Sequence, residues 1–202
     1  MNKKLQDNID MFDKWALTYD FNLFQFWMRR FHKPVFQEVD LSQSVKILDL
    51  SCGTGELLKE LYYQSKGKAK LQGLDISSKM LVVARKKLAR DVLLKEGDVH
   101  HLPFPDNSFD YVISTEAFHH YYDQRRVMQE MKRVVRLGGK VIIIDINFFL
   151  RFVHWLFEKF EPGCVHVNSR GEMKRLFLEM GFVNIKQKRT FLFAVSTSAI
   201  KY

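Results

Sequence analysis

The chain has 202 residues, of which 47% are hydrophobic and 27% are charged, and its formal net charge is +9. This composition is typical of one globular domain, and two cysteines, Cys52 and Cys164, are too few for a disulfide scaffold or a cysteine-based zinc site. The N-terminus lacks an apolar signal core, and no stretch reaches the roughly 20 uninterrupted apolar residues of a transmembrane helix. We therefore predict a cytoplasmic protein. The positive charge permits nucleic acid, anionic lipid or an acidic substrate as a partner without selecting one of them.

The segment 1–40 is rich in aromatic residues and is predicted to form a helical cap. One helix is predicted over Phe12 to Asp20 and a second over Phe21 to His32, where Pro34 breaks the pattern. Such a segment, placed before the first strand, could cover an active site from above.

A strand, a glycine turn and a helix follow the cap. The apolar run Val45 to Leu50 is typical of a buried parallel strand, the turn spans Ser51 to Gly55, and helical spacing begins at Leu57. This arrangement places backbone N–H groups and a positive helix end over one spot, which suits a ligand with a carboxylate, a phosphate or hydroxyl groups. A dinucleotide fingerprint would continue to a third glycine, and its absence disfavours a nicotinamide-dependent dehydrogenase.

The second predicted strand, Leu71 to Ile76, ends in an acidic residue. Asp75 lies about 20 residues beyond the glycine turn, where an open α/β sheet places a carboxylate beside a ribose. A carboxylate offers two acceptor oxygens and a ribose offers two adjacent hydroxyl donors. Ser77 is predicted to cap the helix that follows.

The third predicted strand, Val92 to Leu94, leads to Gly97-Asp98-Val99, and a turn from Leu102 leads to a fourth strand ending at Ser114. The next loop borders the ligand crevice, because that crevice lies at the carboxyl ends of the strands. A further helix is predicted to stop at Leu137-Gly138-Gly139, before a fifth strand over Lys140 to Ile146.

The segment Asn147 to Phe160 is predicted to be an aromatic helix. Its polar residues Asn147, Arg151, His154 and Glu158 fall on one helical stripe, and almost everything else is apolar. Its own domain, an apolar substrate, a membrane surface or a second subunit could cover the apolar arc. A helix starting at Ser169 and two closing strands, 182–191 and 192–200, complete the chain.

Several motifs resemble those of one enzyme family. Asp49 before a turn containing Gly53-Thr54-Gly55 resembles motif I of the class I, Rossmann-like S-adenosylmethionine-dependent methyltransferases, which usually carry glycine at the position of Ser51. The pattern Gly-Asp-x-x-x-Leu-Pro-Phe-x-x-x-Ser-Phe-Asp, from Gly97, resembles their second cofactor-contact region. The phrase Phe12-Asp13…Ala16…Tyr19-Asp20 resembles the N-terminal segment of the quinone-biosynthesis members, the methyltransferase type 11 group.

The resemblance implies an α/β fold, with a doubly wound, mostly parallel seven-stranded sheet, helices on both faces and an antiparallel last strand. It implies one domain with a helical cap, a cofactor-binding half over 45–146 and a lid helix with closing strands over 147–202. In it Asp98 accepts from the adenine amino group, Val99 contacts the ring, and Tyr19 lies near the methionine end. The predicted contacts to S-adenosylmethionine are Tyr19, Asp49, Ser51, Cys52, Gly53, Thr54, Gly55, Asp75, Ile76, Met80, Gly97, Asp98, Val99 and Thr115.

The predicted reaction is methyl transfer to a small, apolar or aromatic acceptor by in-line displacement. Holding donor and acceptor in line is the main requirement, and a base is needed only when the acceptor atom is protonated. His119 and His120 are the candidate bases, since histidine titrates near neutrality, and Tyr121 and Tyr122 are candidates for packing on the acceptor. No metal site is predicted, because the histidines lack helical i, i+4 or cysteine partners.

Two alternatives remain open, an RNA methyltransferase and a cofactor-binding module of the same fold that transfers nothing. The net charge favours the first, but the chain has neither the Asn/Asp-Pro-Pro-aromatic motif of base-amino methylation nor a Pro-Cys nucleophile after strand four. The second alternative remains open because Ser51 stands where these methyltransferases usually carry glycine. Peripheral membrane contact and a homodimer are both compatible with the sequence.

Overall fold

A seven-stranded sheet organises the protein in the computed structural model, which describes residues 3–20, 30–191 and 193–202. The strands are β1 (Lys46–Leu50), β2 (Lys70–Asp75), β3 (Leu93–Glu96), β4 (Phe109–Thr115), β5 (Val135–Ile146), β6 (Phe182–Phe191) and β7 (Ala194–Lys201). Their order is β3-β2-β1-β4-β5-β7-β6, with β1 to β5 mutually parallel and β7 antiparallel to both β5 and β6. The predicted mostly parallel sheet with an antiparallel last strand is confirmed.

Two of the helices in the described residues precede β1, and the others lie between later strands. They are α1 (Lys3–Trp15), α2 (Val35–Glu38), α3 (Glu56–Gln64), α4 (Ser78–Lys87), α5 (Gln124–Val134), α6 (Arg151–Phe160) and α7 (Arg170–Glu179), with a 3₁₀ turn over Phe118–His120. None of these helices is long and apolar enough to cross a membrane.

The central strands bury both faces, because side chains alternate across a strand with period two. Val141 and Ile143 of β5 pack with α5 and α7 in one hydrophobic cluster, whereas Ile142 and Ile144 pack with α3 and α4 in the other. The two clusters lie on opposite faces of the sheet. The continuous apolar run of β5 is therefore the signature of a strand covered on both sides.

Helix starts follow the expected caps. Ser77 accepts a hydrogen bond from the backbone N–H of Met80 at 3.1 Å, which confirms its predicted capping role. Ser169 and Glu172 form a reciprocal capping box at the start of α7, with hydrogen bonds of 3.3 and 2.8 Å.

The N-terminal helix has other bounds than those predicted. It spans Lys3–Trp15, so the predicted helix over Phe12 to Asp20 is wrong in its second half, and residues 16–20 form turns. Most of the second predicted helix, over residues 21–29, lies outside the described residues, while residues 30–32 are helical.

The predicted glycine stop before strand five is also wrong. Helix α5 ends at Val134, and β5 begins at the next residue by pairing Val135 with Phe109. The register then shifts, so that Lys140 pairs with Tyr111. Gly138 has φ of +71°, and a Cβ on Gly139 would lie 2.9 Å from two backbone oxygens. The glycines therefore allow an irregularity inside the strand and do not end the helix.

Gly73 in β2 provides a test of how closely α3 packs on the sheet. A Cβ at this position would lie 2.7 Å from Cys52 Sγ and 2.7 Å from Leu58 Cδ1. We expect Gly73→Ala to lower the free energy of unfolding by about 1–3 kcal/mol through overpacking, as measured by denaturant titration.

Gly171→Ala in α7 is the matched control, because its Cβ would meet nothing within 4 Å. This change should be neutral or stabilising by up to about 1 kcal/mol, owing to helix propensity. Equal destabilisation by both changes would contradict the packing argument.

Candidate functional site

A cavity lies at the carboxyl ends of β1, β2, β3 and β4, the edge of the sheet at which the sequence predicts the ligand crevice. Helix α1 and the turns after it close it on one side, since Leu5, Asn8, Phe12, Tyr19 and Asp20 are among its lining residues. The site is therefore built by four loops of the sheet and by the N-terminal cap.

The turn after β1 is tightly wound. Ser51, Gly53 and Gly55 all have positive φ, of 56°, 52° and 81°. A positive φ is unusual for serine, and here the Ser51 hydroxyl is hydrogen-bonded to Tyr121 Oη at 3.0 Å. Tyr121 Oη also lies 3.0 Å from Ser114 Oγ. The serine that replaces the usual glycine thus connects the turn to the loop after β4.

Asp75 joins the ends of β1 and β2. One carboxyl oxygen accepts the backbone N–H of Gly53 and the other accepts that of Ser77, each at 2.8 Å. Burial raises the pKa of Asp75 to about 6, although these two hydrogen bonds act in the opposite direction. A carboxylate oxygen has more than one lone pair, so both oxygens keep capacity for a ligand donor.

Asp49 and Asp98 line the same cavity as Asp75. Asp49 is buried, and burial followed by the charge of Asp75 holds its pKa well above the usual value. Among the described residues no donor reaches Asp49 Oδ1. Asp98 accepts from His100 through the backbone N–H at 2.9 Å and contacts its ring Nδ1 at 2.5 Å. The three strand-end acids therefore converge on one space.

The cap is attached to the turns that it covers. Asp13 accepts from the Ser77 hydroxyl and Asp20 from the Thr54 hydroxyl, both at 2.6 Å. Lys87 forms an ion pair at 2.6 Å with Asp20. Tyr19, which precedes Asp20, lines the cavity.

A second group of polar side chains lies beyond β4. Glu116 has φ of +52° and lines the cavity, and burial raises its pKa to about 8, with the charge of Asp145 as the second cause. Within the described chain, Glu116 Oε2 has no hydrogen-bond partner. The sequence analysis did not predict Glu116 as a site residue and named His119 and His120 in the same loop. The signal that could have found Glu116 is an acidic residue directly after the end of β4.

The two candidate bases occupy different environments. His120 lines the cavity, and burial followed by the charge of His119 lowers its pKa to about 4. His119 is buried behind it, with Nδ1 2.6 Å from Asp145 Oδ1, and it is not a lining residue. Direct contact of His119 with a bound molecule, as predicted, therefore does not fit this arrangement.

The structure brings most of the predicted cofactor residues together. Twelve line the cavity, namely Tyr19, Asp49, Ser51, Cys52, Gly53, Thr54, Asp75, Ile76, Met80, Asp98, Val99 and Thr115. Gly55 and Gly97 do not line it, and both instead allow close packing. A Cβ on Gly55 would lie 2.8 Å from Leu88 Cδ1, and one on Gly97 would lie 3.1 Å from Leu74 Cδ1.

The two tyrosines of the β4 loop separate in space. Tyr121 lines the cavity, whereas Tyr122 stacks on His100 with ring centroids 3.6 Å apart and is not among the lining residues. Of the two rings predicted to pack on an acceptor, only that of Tyr121 therefore remains a candidate. Among the described residues, histidine, cysteine and acidic side chains form no group of three or more that could hold a metal ion.

The chain is similar to known methyltransferases. The family described as "Methyltransferase domain" matches residues 48–143. The demethylmenaquinone methyltransferase of Staphylococcus aureus is 26% identical, and the alignment covers 100% of this chain and 92% of that protein.

Solved structures share the fold. A chain in the complex between the Haloferax volcanii Trm112 methyltransferase activator and a putative methyltransferase has a TM-score of 0.80 at 23% identity, with 94% of this chain and 97% of that chain covered. A SAM-dependent methyltransferase from Aquifex aeolicus has a TM-score of 0.70 at 22% identity, with 85% and 89% covered.

The matched family, the full-length relative and the sheet topology agree with one another and with the motifs at Asp49 and Gly97. The chain is therefore an S-adenosylmethionine-dependent methyltransferase with the class I, Rossmann-like fold, and it resembles the enzymes of quinone biosynthesis.

Proposed function

We propose that this enzyme methylates a small, apolar or aromatic acceptor that binds in the cavity between α1 and the loop after β4. The observation that carries the proposal is the convergence of Asp49, Asp75 and Asp98 on one cavity that aromatic residues also line. The Staphylococcus aureus relative, named for a quinone substrate, supports an acceptor of the same chemical kind.

The cavity has the chemistry that S-adenosylmethionine requires. Bound S-adenosylmethionine would supply a methyl group on a sulfonium, whose transfer is an in-line displacement. Its sulfonium and ammonium groups are cationic, and the cavity offers the partnerless carboxyl oxygens Asp49 Oδ1 and Glu116 Oε2 within the described residues. A cation stabilises the ionised form of a nearby buried carboxyl, so the cavity and this ligand are complementary.

The strand-end acids would divide the cofactor among them. In this proposal Asp75 accepts from the ribose hydroxyls, Asp98 accepts from the adenine amino group, and Val99 packs on the adenine ring. Asp49, Tyr19 and the turn from Ser51 to Thr54 surround the methionine end. Ile76, Met80, Cys52 and Thr115 complete the lining.

The acceptor would occupy the side of the cavity formed by the cap and the β4 loop. The ring of Phe12 packs edge-on against His120, with centroids 5.2 Å apart, and Tyr121 is held by two serine hydroxyls. These rings supply an apolar wall, and Glu116 supplies a polar group beside it. An aromatic molecule with one hydroxyl or carbonyl fits that combination.

His120 is the candidate base that faces the cavity. Its lowered pKa makes it neutral at pH 7 and a weak proton acceptor, which suits an acceptor hydroxyl that is itself acidic. His119, held by Asp145, contacts the His120 ring at a centroid distance of 4.1 Å and thus acts on its position.

Turnover is the direct test of this function. The purified chain should transfer radiolabelled methyl from S-adenosylmethionine to hydroxylated quinols or naphthols, and not to transfer RNA. Methylation of RNA and of none of the small acceptors would instead favour an RNA methyltransferase. Cofactor binding without any transfer across the acceptor panel would favour a binding module.

We expect Asp75→Ala to weaken S-adenosylhomocysteine binding by about 1–3 kcal/mol, because buried hydroxyl donors lose their acceptor. Calorimetry would measure the affinity, with the exposed Asp91→Ala as the control. Asp75 also holds the Gly53 and Ser77 N–H groups, so the measurement should be repeated with a 2′,3′-dideoxy analogue.

The loss caused by Asp75→Ala should shrink with the dideoxy analogue, as expected for two groups in contact. An equal loss with both ligands would assign Asp75 to the turn alone, and an unchanged affinity would refute the ribose contact.

We expect the affinity for S-adenosylmethionine to rise from pH 6 to about pH 8. The raised pKa of Glu116, about 8, keeps this carboxyl protonated at pH 7, and a bound cation favours its ionised form, so binding releases a proton. The rise should be steeper than for S-adenosylhomocysteine, which lacks the sulfonium charge.

Glu116→Gln should flatten this pH dependence, whereas the exposed Glu96→Gln should leave it unchanged. Calorimetry in buffers of different ionisation enthalpy counts the released protons directly. A pH dependence that survives in Glu116→Gln would place the titrating group elsewhere.

A further inference from the structure

Helix α6 faces the protein with its polar side. His154 is buried and its Nε2 lies 3.0 Å from the backbone oxygen of Phe148, while Glu158 accepts the backbone N–H of Val167 at 2.8 Å. The polar stripe seen in the sequence therefore binds the loops on either side of the helix. The stripe itself is shorter than predicted, because Asn147 precedes the helix and hydrogen-bonds to Asn168.

The opposite side of the helix presents apolar side chains to solvent. We call this the aromatic surface, and it consists of Phe149, Leu150, Phe152, Trp155 and Phe160. Phe152, Trp155 and Phe160 are 64%, 53% and 70% exposed, and the rings of Phe152 and Trp155 stack with centroids 6.0 Å apart. A group of large apolar residues exposed together marks an interaction site, in contrast to a single exposed leucine.

Cations border the aromatic surface. Lys159 Nζ lies 5.2 Å from the Trp155 ring centroid and 5.7 Å from that of Phe160, and the Arg189 guanidinium lies 3.9 Å from that of Phe149. Arg151 is exposed at the start of the helix. The acidic residue of α6, Glu158, is turned towards the protein. The charges that α6 exposes beside the aromatic surface are therefore positive.

We propose that the aromatic surface docks the enzyme on a lipid bilayer with anionic headgroups. Tryptophan and phenylalanine rings favour the boundary between headgroups and acyl chains, and lysine and arginine beside them pair with anionic headgroups. The formal net charge of +9 adds a long-range attraction to the same partner. A second copy of this surface would bring the same positive charges together, so charge complementarity favours the lipid.

Docking in this orientation would place the membrane close to the acceptor side of the cavity. Phe157 lies on the same helix, and its ring contacts that of His119 with centroids 5.9 Å apart. His119 accepts the backbone N–H of Val165 at 2.8 Å through its carbonyl oxygen, which ties the loop after α6 to the site. The proposal stands without the acceptor assignment, because binding to lipid is measured without turnover.

The test is co-sedimentation of the full chain with large unilamellar vesicles. We expect binding to vesicles of equal parts phosphatidylcholine and phosphatidylglycerol, weakening as salt increases, and little binding to phosphatidylcholine alone. The pair Phe152→Ser with Trp155→Ser should lower the partition coefficient about tenfold or more by removing buried apolar area.

Two control pairs separate the aromatic surface from general effects. Tyr63→Ser with Leu178→Ser removes side chains that are 68% and 57% exposed elsewhere, and it should leave binding unchanged. Arg151→Glu with Lys159→Glu should reduce binding far more than Lys68→Glu with Lys86→Glu, which changes the net charge equally at other exposed positions.

Absence of binding to anionic vesicles would overturn the proposal, as would equal losses from the surface and control pairs. Light scattering after size-exclusion chromatography measures whether the chain and its variants are monomers or dimers. A dimer that Phe152→Ser with Trp155→Ser converts to a monomer, with no change in vesicle binding, would assign the surface to a second copy. Circular dichroism and unchanged S-adenosylhomocysteine affinity would verify that each variant is folded.

Discussion

The cofactor half of the site depends on the two hydrogen bonds that the Asp75 carboxyl group accepts from the backbone. It accepts the backbone N–H groups of Gly53 and Ser77, so one buried side chain joins the turn after β1 to the helix after β2. Leaving those N–H groups unpaired in the core would cost free energy, which explains why an acid is tolerated at a buried strand end. The same acid then remains available at the edge of the cavity.

The N-terminal cap is hydrogen-bonded to the two turns that Asp75 joins. Asp13 contacts Ser77 and Asp20 contacts Thr54, so the N-terminal segment is attached to the residues that would surround the cofactor. Lys87 of α4 pairs with Asp20 and with Glu56 at the start of α3. Cap, turn and helices are thus one polar network, of which Asp20, Thr54 and Glu56 line the cavity.

Two kinds of side chain line the cavity. Below the cap are buried acids with raised pKa values, namely Asp49, Asp75 and Glu116, an environment that favours a cationic ligand. Phe12 and Tyr121 add aromatic rings to the same lining, and Phe157 of α6 contacts His119, which is not a lining residue. Acidic and aromatic lining in one cavity suit the proposed pairing of a charged donor with an apolar acceptor.

The sequence alone determined the sheet and the position of the site, because short-range chemistry decides both. Apolar β-branched runs specify buried strands, and Asp49, Asp75 and Asp98 lie at or just after strand ends that a parallel sheet must bring to one edge. The missing third glycine after Gly55 disfavours a dinucleotide-binding dehydrogenase from the sequence alone. Helix limits were less accurate where tertiary contacts decide them, as at Val134, where pairing of Val135 with Phe109 starts a strand directly.

Only the tertiary structure decided which side chains face the cavity and which way α6 is turned. The pair His119-His120 reads as one feature in sequence, but Asp145 on β5 holds His119 behind the wall that His120 lines. The periodicity of α6 showed a polar stripe and a wide apolar arc without deciding which of them faces the protein, and that side is the stripe containing His154 and Glu158. Those residues satisfy backbone groups at Phe148 and Val167, and hydrogen bonds between segments distant in sequence carry no periodic signal.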